Sequence, residues 1–134
     1  MNGRFPITLH IMTLLCTEQG VISSEFLAGS INVNAVLVRK ELSNLIRHGL
    51  VKSQEGKNGG YQLARPGTDI SLAEIYHTVK PDAILGQAKN QPNPKCPVGR
   101  QINSHLNNLY EEVDQALINK LNGITLDAFC KKFD

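Results

Sequence analysis

The sequence predicts a mainly α-helical chain: a winged helix-turn-helix, with a three-helix core and a two-stranded β-hairpin, followed by a long C-terminal helix. Two short apolar helical patterns are separated by a tight turn at residues 32–34. A polar, Gly-rich stretch at residues 54–60 follows the second of them, and an apolar stripe runs through the last third of the chain. Because aromatic residues make up only 5% of the chain and Trp is absent, the core must be aliphatic.

The helix-turn-helix is predicted from helical periodicity and capping residues. Apolar residues recur at helical spacing between Pro6, which suits a first helical turn, and Gly20. A brief second helix covers about residues 25–31. Asn34 is a good N-cap for a third helix, which runs to His48 and ends before a glycine. The third helix is amphipathic with a basic outer face, and two helices joined by a tight turn form a helix-turn-helix.

A β-hairpin wing is predicted directly after the third helix. Residues 50–53 and 61–63 have the pattern of short strands, and the run between them is too polar for a core element. Asn58 followed by Gly59 supplies the positive φ values that tight hairpins require. A helix-turn-helix alone is a weak signal, but one followed by a Gly-rich basic hairpin is strong.

The remaining elements follow from caps and prolines. Ser71 and Glu74 have the spacing of a capping box, which predicts a fourth helix to about Val79. Four prolines between residues 80 and 97 exclude a regular element there. Beyond them we expect a helix of roughly seven turns, then a last short helix capped by Thr125.

The long helix has an apolar stripe that needs a partner. The stripe comprises Ile102, Leu106, Leu109, Val113, Leu117 and Leu121. Since the winged unit is complete near residue 79, the stripe either packs back on it or meets a second chain, and a two-fold dimer is the commonest solution. We therefore expect a homodimer with a winged unit at residues 1–80, a Pro-rich loop at 81–97 and a dimerisation helix with a short terminal helix at 98–134.

Charge and cysteine content restrict the classes of function. The net charge is only +2, but residues 32–65 hold six basic side chains against two acidic ones. A phosphate backbone requires such a local positive surface, although a solvated charged face has the same composition. Three cysteines far apart in sequence make no disulfide framework, so a reducing, cytoplasmic setting is expected. No apolar run approaches the ~20 residues of a membrane span, and no nucleophile–base pair, phosphate loop or metal triad indicates an enzyme.

Several stretches resemble the Rrf2 family of bacterial winged-helix regulators. They are LIRHGLVKS at residues 45–53, GGYQLAR at 59–65 and ISLAEI at 70–75, while NPKCPVG at 93–99 resembles a YwnA-like subgroup without an iron–sulfur cluster. The resemblance covers nearly the whole chain. It implies a dimeric, DNA-binding repressor or activator of transcription whose long C-terminal helix crosses to the other subunit.

Candidate DNA-binding residues lie on the third helix and at the wing tip. The resemblance implies base-reading positions in the first turns of the third helix, and the outer face extends to its end; the candidates there are Asn34, Val36, Arg39, Lys40, Ser43 and Arg47. The wing-tip candidates are Lys57, Asn58 and Gly59. An arginine bidentate to guanine discriminates by ~1–3 kcal/mol. The structural alternatives are a solvated helix face, a simple N-cap and an ordinary hairpin turn. Many relatives carry Arg at the position of Glu55, where an acid repels phosphate.

Cys96 is a candidate redox thiol. It stands between Lys95 and Pro97 just before the long helix, where a helix N-terminus and a lysine favour the thiolate; an idle thiol is the alternative. Cluster-binding relatives carry three cysteines in this loop, and this chain carries one, so we expect no metal and no cofactor. Cys16 and Cys130 are expected to be packing residues.

A second class of function stays open at this point. Some winged helices bind only proteins, and an apolar outer face on the third helix would favour that use. The basic outer face here favours duplex DNA instead.

Overall fold

The described residues of the computed structural model, 3–18, 20–80 and 84–133, form six α-helices and one two-stranded antiparallel sheet. In chain order the elements are α1 (Arg4–Thr17), α2 (Ser24–Ile31), α3 (Ala35–Arg47), β1 (Val51–Gln54), β2 (Gly60–Leu63), α4 (Leu72–Val79), α5 (Ile102–Asn122) and α6 (Leu126–Cys130). A short 3-10 turn, Gly67–Asp69, precedes α4. The predicted fold, a mainly α winged helix-turn-helix with a long C-terminal helix, is confirmed.

Polar side chains cap the short helices. Each cap accepts a backbone N–H of the first turn: Ser23 from Phe26, Asn34 from Val36, Ser71 from Glu74, and Thr125 from Ala128. Such a bond satisfies one of the N–H groups that a helix start leaves unpaired. The predicted caps at Asn34, Ser71 and Thr125 are therefore confirmed. The Glu74 carboxylate forms an ion pair with Arg65.

The core is aliphatic, as the composition predicts. Its largest fully buried apolar side chains come from α1, α2, α3, α4, α6 and the residue that follows the 3-10 turn, and they are Ile11, Met12, Leu27, Leu42, Leu45, Ile70, Ile75 and Leu126. Tyr76 packs edge-on against Phe5 at the margin, with ring centroids 5.8 Å apart. This core fixes α3 against the rest of the chain along its inner face.

Several predicted ends of helices and strands differ from the observed ones by one residue. The strand β1 starts at Val51, one residue later than predicted, because Leu50 is buried and its N–H closes the end of α3 on Leu45 O at 3.1 Å. Gly49 makes this turn with φ +75°, which favours glycine. The helix α5 has 21 residues, which is about six turns rather than seven.

The short helix α6 belongs to the core of the winged unit. Leu126 is fully buried, and its N–H donates to Ile70 O at 2.8 Å, while Leu72 N–H donates to Ile124 O at 2.9 Å. The sequence-based division instead grouped α6 with the dimerisation helix. In this structure the chain returns after α5 and completes the first unit.

The long helix α5 packs on α4, and its apolar stripe is covered only in part. Asp114 accepts hydrogen bonds from Lys80 Nζ at 2.5 Å and from Tyr76 Oη at 3.4 Å. Among the described residues of α5 none is fully buried, and Leu109 is 47% exposed. No helix in the described ranges combines the length and the apolar character needed to span a membrane.

Candidate nucleic-acid interface

The turn between α2 and α3 sets the position of α3. Asn32 ends α2 in the left-handed conformation, with φ 63°, and its N–H donates to Ala28 O. Two residues later the Asn34 side chain accepts the Val36 N–H at 2.8 Å. The Asn34 side-chain oxygen is thus used as a cap, and its N–H₂ group can still donate to a ligand.

The predicted outer face of α3 is an exposed stripe. We call it the α3 face; it consists of Val36, Arg39, Lys40, Ser43 and Arg47, all of which are exposed. These positions repeat every three or four residues, so they share one side of the helix. Val36 is 65% exposed although it is apolar, whereas Val38 on the opposite side is fully buried. The α3 face therefore offers three cations, a hydroxyl and one apolar contact.

Two of these cations have partners within the chain. Arg39 Nη1 lies 3.3 Å from Ser24 Oγ, to which it donates, and 3.7 Å from Glu25 Oε1 at the start of α2. Arg47 Nη2 donates to Asn44 Oδ1 at 2.8 Å. Ion pairs between exposed side chains contribute only about 0–1 kcal/mol. Exchanging the Arg39–Glu25 ion pair for a phosphate or a base edge is therefore inexpensive.

A buried carboxylate fixes α3 from behind. Glu41 is 2% exposed, and its two oxygens accept hydrogen bonds from Arg4 Nε at 2.9 Å and Arg4 Nη2 at 2.8 Å. This hydrogen bonding is the main reason that the pKa of Arg4 is raised. The pair ties the start of α1 to the middle of α3. The sequence analysis missed it, although Glu41 stands among the inward-facing apolar positions of the third helix, where a charge requires a partner.

The wing is attached to the body by backbone hydrogen bonds. Its strands pair from Val51 with Leu63 to Gln54 with Gly60. On the other side of β2, Ile22 and Tyr61 exchange two N–H···O bonds of 2.8 Å each. A hairpin is marginally stable by itself, and this third segment holds it beside the helix-turn-helix.

The glycines of the wing are required by its own backbone. A Cβ atom on Gly59 would lie 2.1 Å from Gln54 O, and one on Gly60 would lie 2.5 Å from Ile22 O. The positive φ predicted at Asn58 and Gly59 lies instead at Gly56, with φ +106°, and the Gly59 N–H donates to Gly56 O at 3.0 Å within the turn. Lys57 and Asn58 are exposed at the tip, as is Glu55. The predicted wing contacts therefore centre on Lys57 and Asn58, with Gly59 shaping the turn.

Cys96 is exposed, in a turn six residues before α5 begins. Asn93 organises this turn: its backbone oxygen accepts the Cys96 N–H at 3.1 Å and its side chain accepts the Lys95 N–H at 2.9 Å. Cys96 is therefore accessible, but it lies outside the first turn of α5, so the field of that helix does not act on its thiol directly.

Comparisons with known proteins agree with this geometry. Residues 1–132 match the Rrf2 family, described as iron-dependent transcriptional regulators. YwnA of Bacillus subtilis, named as an HTH-type transcriptional regulator, is 36% identical over 121 residues, which is 90% of each chain. A solved structure described as a DNA-binding protein is 33% identical with a TM-score of 0.75, covering 94% of this chain and 97% of its own. CymR, the global cysteine regulator of B. subtilis, has a TM-score of 0.73 at 21% identity and covers 100% of this chain and 98% of its own, so it supports the fold alone.

The family description includes iron, which the residues present here do not fit. Within the described ranges no three His, Cys, Asp or Glu side chains come together as a metal site. Cys96 stands in the loop before α5, whereas Cys16 and Cys130 lie on α1 and α6. Iron–sulfur clusters are held by several cysteine thiolates, and the loop before α5 supplies one, Cys96. The described residues therefore do not fit such a cluster. By the extent of the family match and the identity to YwnA, the chain belongs to the Rrf2 family of transcriptional regulators.

Proposed function

We propose that the protein is a homodimeric, sequence-specific DNA-binding repressor. The observation that carries this proposal is the α3 face: three cations and an exposed valine on a capped helix whose opposite side is fully buried. A rigid helix with such a face fits the major groove, where arginine pairs with guanine and an apolar side chain contacts the thymine methyl group. The wing tip beside it supplies Lys57 for the phosphate backbone.

The partly covered apolar stripe of α5 supports the dimer. Leu106, Val113 and Leu117 are half-buried and Leu109 is exposed, so a second copy would remove apolar surface from water along several turns. A two-fold axis that runs between the two copies of α5 would place both α3 faces on one side of a DNA duplex. Half-sites about one helical turn apart, ~34 Å, are the geometric expectation.

A salt titration tests DNA binding. Fluorescence anisotropy with random duplex DNA should show affinity that falls steeply with salt, because phosphate contacts release counterions. Lys40→Ala should weaken binding and lower the salt slope by about one. Lys132→Ala, which removes one exposed cation near the C-terminus, should leave the slope unchanged. Indifference to duplex DNA at low salt would instead favour a winged helix that binds proteins.

The dimer needs a separate measurement. Sedimentation equilibrium should give twice the 14.7 kDa chain mass, and Leu109→Glu should shift the equilibrium to monomer. If the wild-type chain is monomeric at the concentrations at which it binds DNA, the two-fold arrangement is wrong, whereas DNA binding itself is tested by the titration.

We also propose that the regulator works in the cytoplasm and that Cys96 is its accessible thiol signal. All three cysteines are free, which suits a reducing compartment. Operator affinity of the wild-type protein should change after mild peroxide treatment, and Cys96→Ser should abolish that change. A variant that responds like the parent would remove Cys96 from this role.

A further inference from the structure

Cys16 and Cys130 are 114 positions apart in sequence and adjacent in the fold. Cys16 lies in the last turn of α1, and Cys130 ends α6. A Cβ atom built on Gly67 would touch both Cys16 Sγ and, at 3.4 Å, the Asp127 nitrogen of α6, so the Cys16 thiol lies beside α6. The Cys130 Sγ donates to Thr13 O at 3.8 Å, one turn before Cys16. The two cysteines therefore lie close together where the first and last helices of the described chain pack against each other.

The surroundings of the pair differ on its two sides. Cys130 is only 6% exposed. Cys16 is half-buried and borders a surface depression of about 320 Å³, together with Arg65 and Pro66. Gly67 packs so closely on the other flank that a Cβ atom there would lie 2.8 Å from Cys16 Sγ. A small oxidant can thus reach Cys16 through the depression, whereas the Cys130 thiol is shielded from solvent.

We propose that Cys16 and Cys130 form a redox-active dithiol, which hydroperoxides convert to an intrachain disulfide that fastens α6 to α1. This site is separate from the α3 face and does not depend on DNA binding. It also differs from Cys96, which stands exposed in the loop before α5.

The chemistry balances in two steps with a hydroperoxide as the oxidant. The Cys16 thiolate attacks the peroxide oxygen, the O–O bond breaks, and the product is a Cys16 sulfenic acid plus water or alcohol once the leaving oxygen takes up a proton. The Cys130 sulfur then attacks the sulfenic sulfur, the S–O bond breaks, and water leaves with the thiol proton. Two thiols are oxidised by two electrons, and one peroxide is reduced.

The two thiols take different roles because their surroundings differ. Burial, and next the neighbouring Cys16 thiol, raises the pKa of Cys130 to about 12. At neutral pH Cys130 is therefore a protonated thiol, poorly suited to attack peroxide itself. Its position beside Cys16 makes it the resolving thiol once Cys16 has been oxidised.

The test uses Cys96→Ser protein, which removes the exposed thiol and leaves the pair. After hydrogen peroxide, intact mass and alkylation should show that both thiols are lost together, with two hydrogen atoms removed per chain. Peptide mapping should find Cys16 linked to Cys130 within one chain. The midpoint of thermal unfolding should rise by at least ~5 °C and return after dithiothreitol, because the bridge closes a loop of more than 100 residues.

Two further variants keep the result interpretable. Cys16→Ser in the Cys96→Ser background should show neither the bridge nor the rise in the unfolding midpoint. Cys130→Val tests the other partner, since it preserves apolar packing if Cys130→Ser fails to fold. The proposal is overturned if peroxide gives sulfinic or sulfonic acid at Cys16 with Cys130 still reduced, if it gives bridges only between chains, or if neither thiol reacts.

Discussion

The helices α3 and α5 have the same kind of sequence pattern and different surroundings. Both are amphipathic, but the inner face of α3 is fully buried at Val38, Leu42 and Leu45, whereas no residue of α5 is fully buried within the described chain. Periodicity tells which side of a helix is apolar, and it does not tell what covers that side. The α3 face can be polar because the chain itself satisfies the inner side. The apolar stripe of α5 is not covered by the chain itself to the same extent.

The largest expected difference is in the core. Leu42→Ala should reduce the free energy of unfolding by about 3–4 kcal/mol, because it leaves a cavity at a fully buried site. Leu109→Ala, the same chemical change at a 47% exposed position, should cost less than about 1 kcal/mol when measured in isolated monomers. Urea denaturation at several protein concentrations separates the two effects. If Leu42→Ala and Leu109→Ala reduce the free energy of unfolding equally at every protein concentration, the difference described between α3 and α5 is wrong.

The next effect concerns the anchor behind α3. Arg4→Met should destabilise the fold by about 2–3 kcal/mol, because it leaves the Glu41 carboxylate buried without its main partner. Combining it with Glu41→Gln should recover part of that loss, since an amide is cheaper to bury than a charge. Denaturant midpoints of the single and double variants give the coupling. A double variant that shows the full sum of both losses would argue against a direct pair.

A third pair of variants separates base reading from phosphate binding. Arg39→Ala should lower the affinity for a selected operator by about 1–3 kcal/mol and relax sequence preference. Lys57→Ala should weaken all sequences alike and reduce the salt slope by about one. Competition binding against single-base operator variants measures both. If Arg39→Ala weakens every sequence equally, the Arg39 contact is to phosphate.

The smallest effect is at the cap of α3. Asn34→Ala should cost about 1 kcal/mol of stability, because the Val36 N–H loses its acceptor. Asn34→Asp retains an acceptor and should preserve stability. Thermal unfolding compares the two. If Asn34→Ser, which keeps an acceptor and adds no charge, lowers operator affinity while stability is preserved, the N–H₂ group of Asn34 also contacts DNA.

Much of the fold follows from local signals. The caps at Asn34, Ser71 and Thr125 depend on bonds to residues two or three positions away, so the sequence contains both partners. The stripe on α3 and the hairpin are local in the same way. The sequence predicts the start of β1 one residue too early, because the burial of Leu50 depends on which residues pack against it. It overestimates α5 by about one turn, because packing decides where the first turn of that helix forms.

The candidate DNA-binding site likewise has features that the sequence predicts and features that it does not. Sequence spacing identified the residues of the α3 face, but it could not identify the side chains that those residues contact. The contact of Arg39 with Ser24 spans fifteen residues, and that of Arg4 with Glu41 spans thirty-seven. Nothing in helical periodicity relates such positions. The roles of these residues toward DNA stay predictions.

The amino-acid sequence by itself determined the winged helix-turn-helix, its family and its cationic helix face, because periodicity, capping and turn chemistry act over a few residues. Only the tertiary structure decided that α6 returns to complete the first unit, that Glu41 is neutralised by Arg4, and that Cys16 meets Cys130. These contacts depend on how the helices pack against one another in space, and packing brings together residues whose separation along the chain has no fixed period.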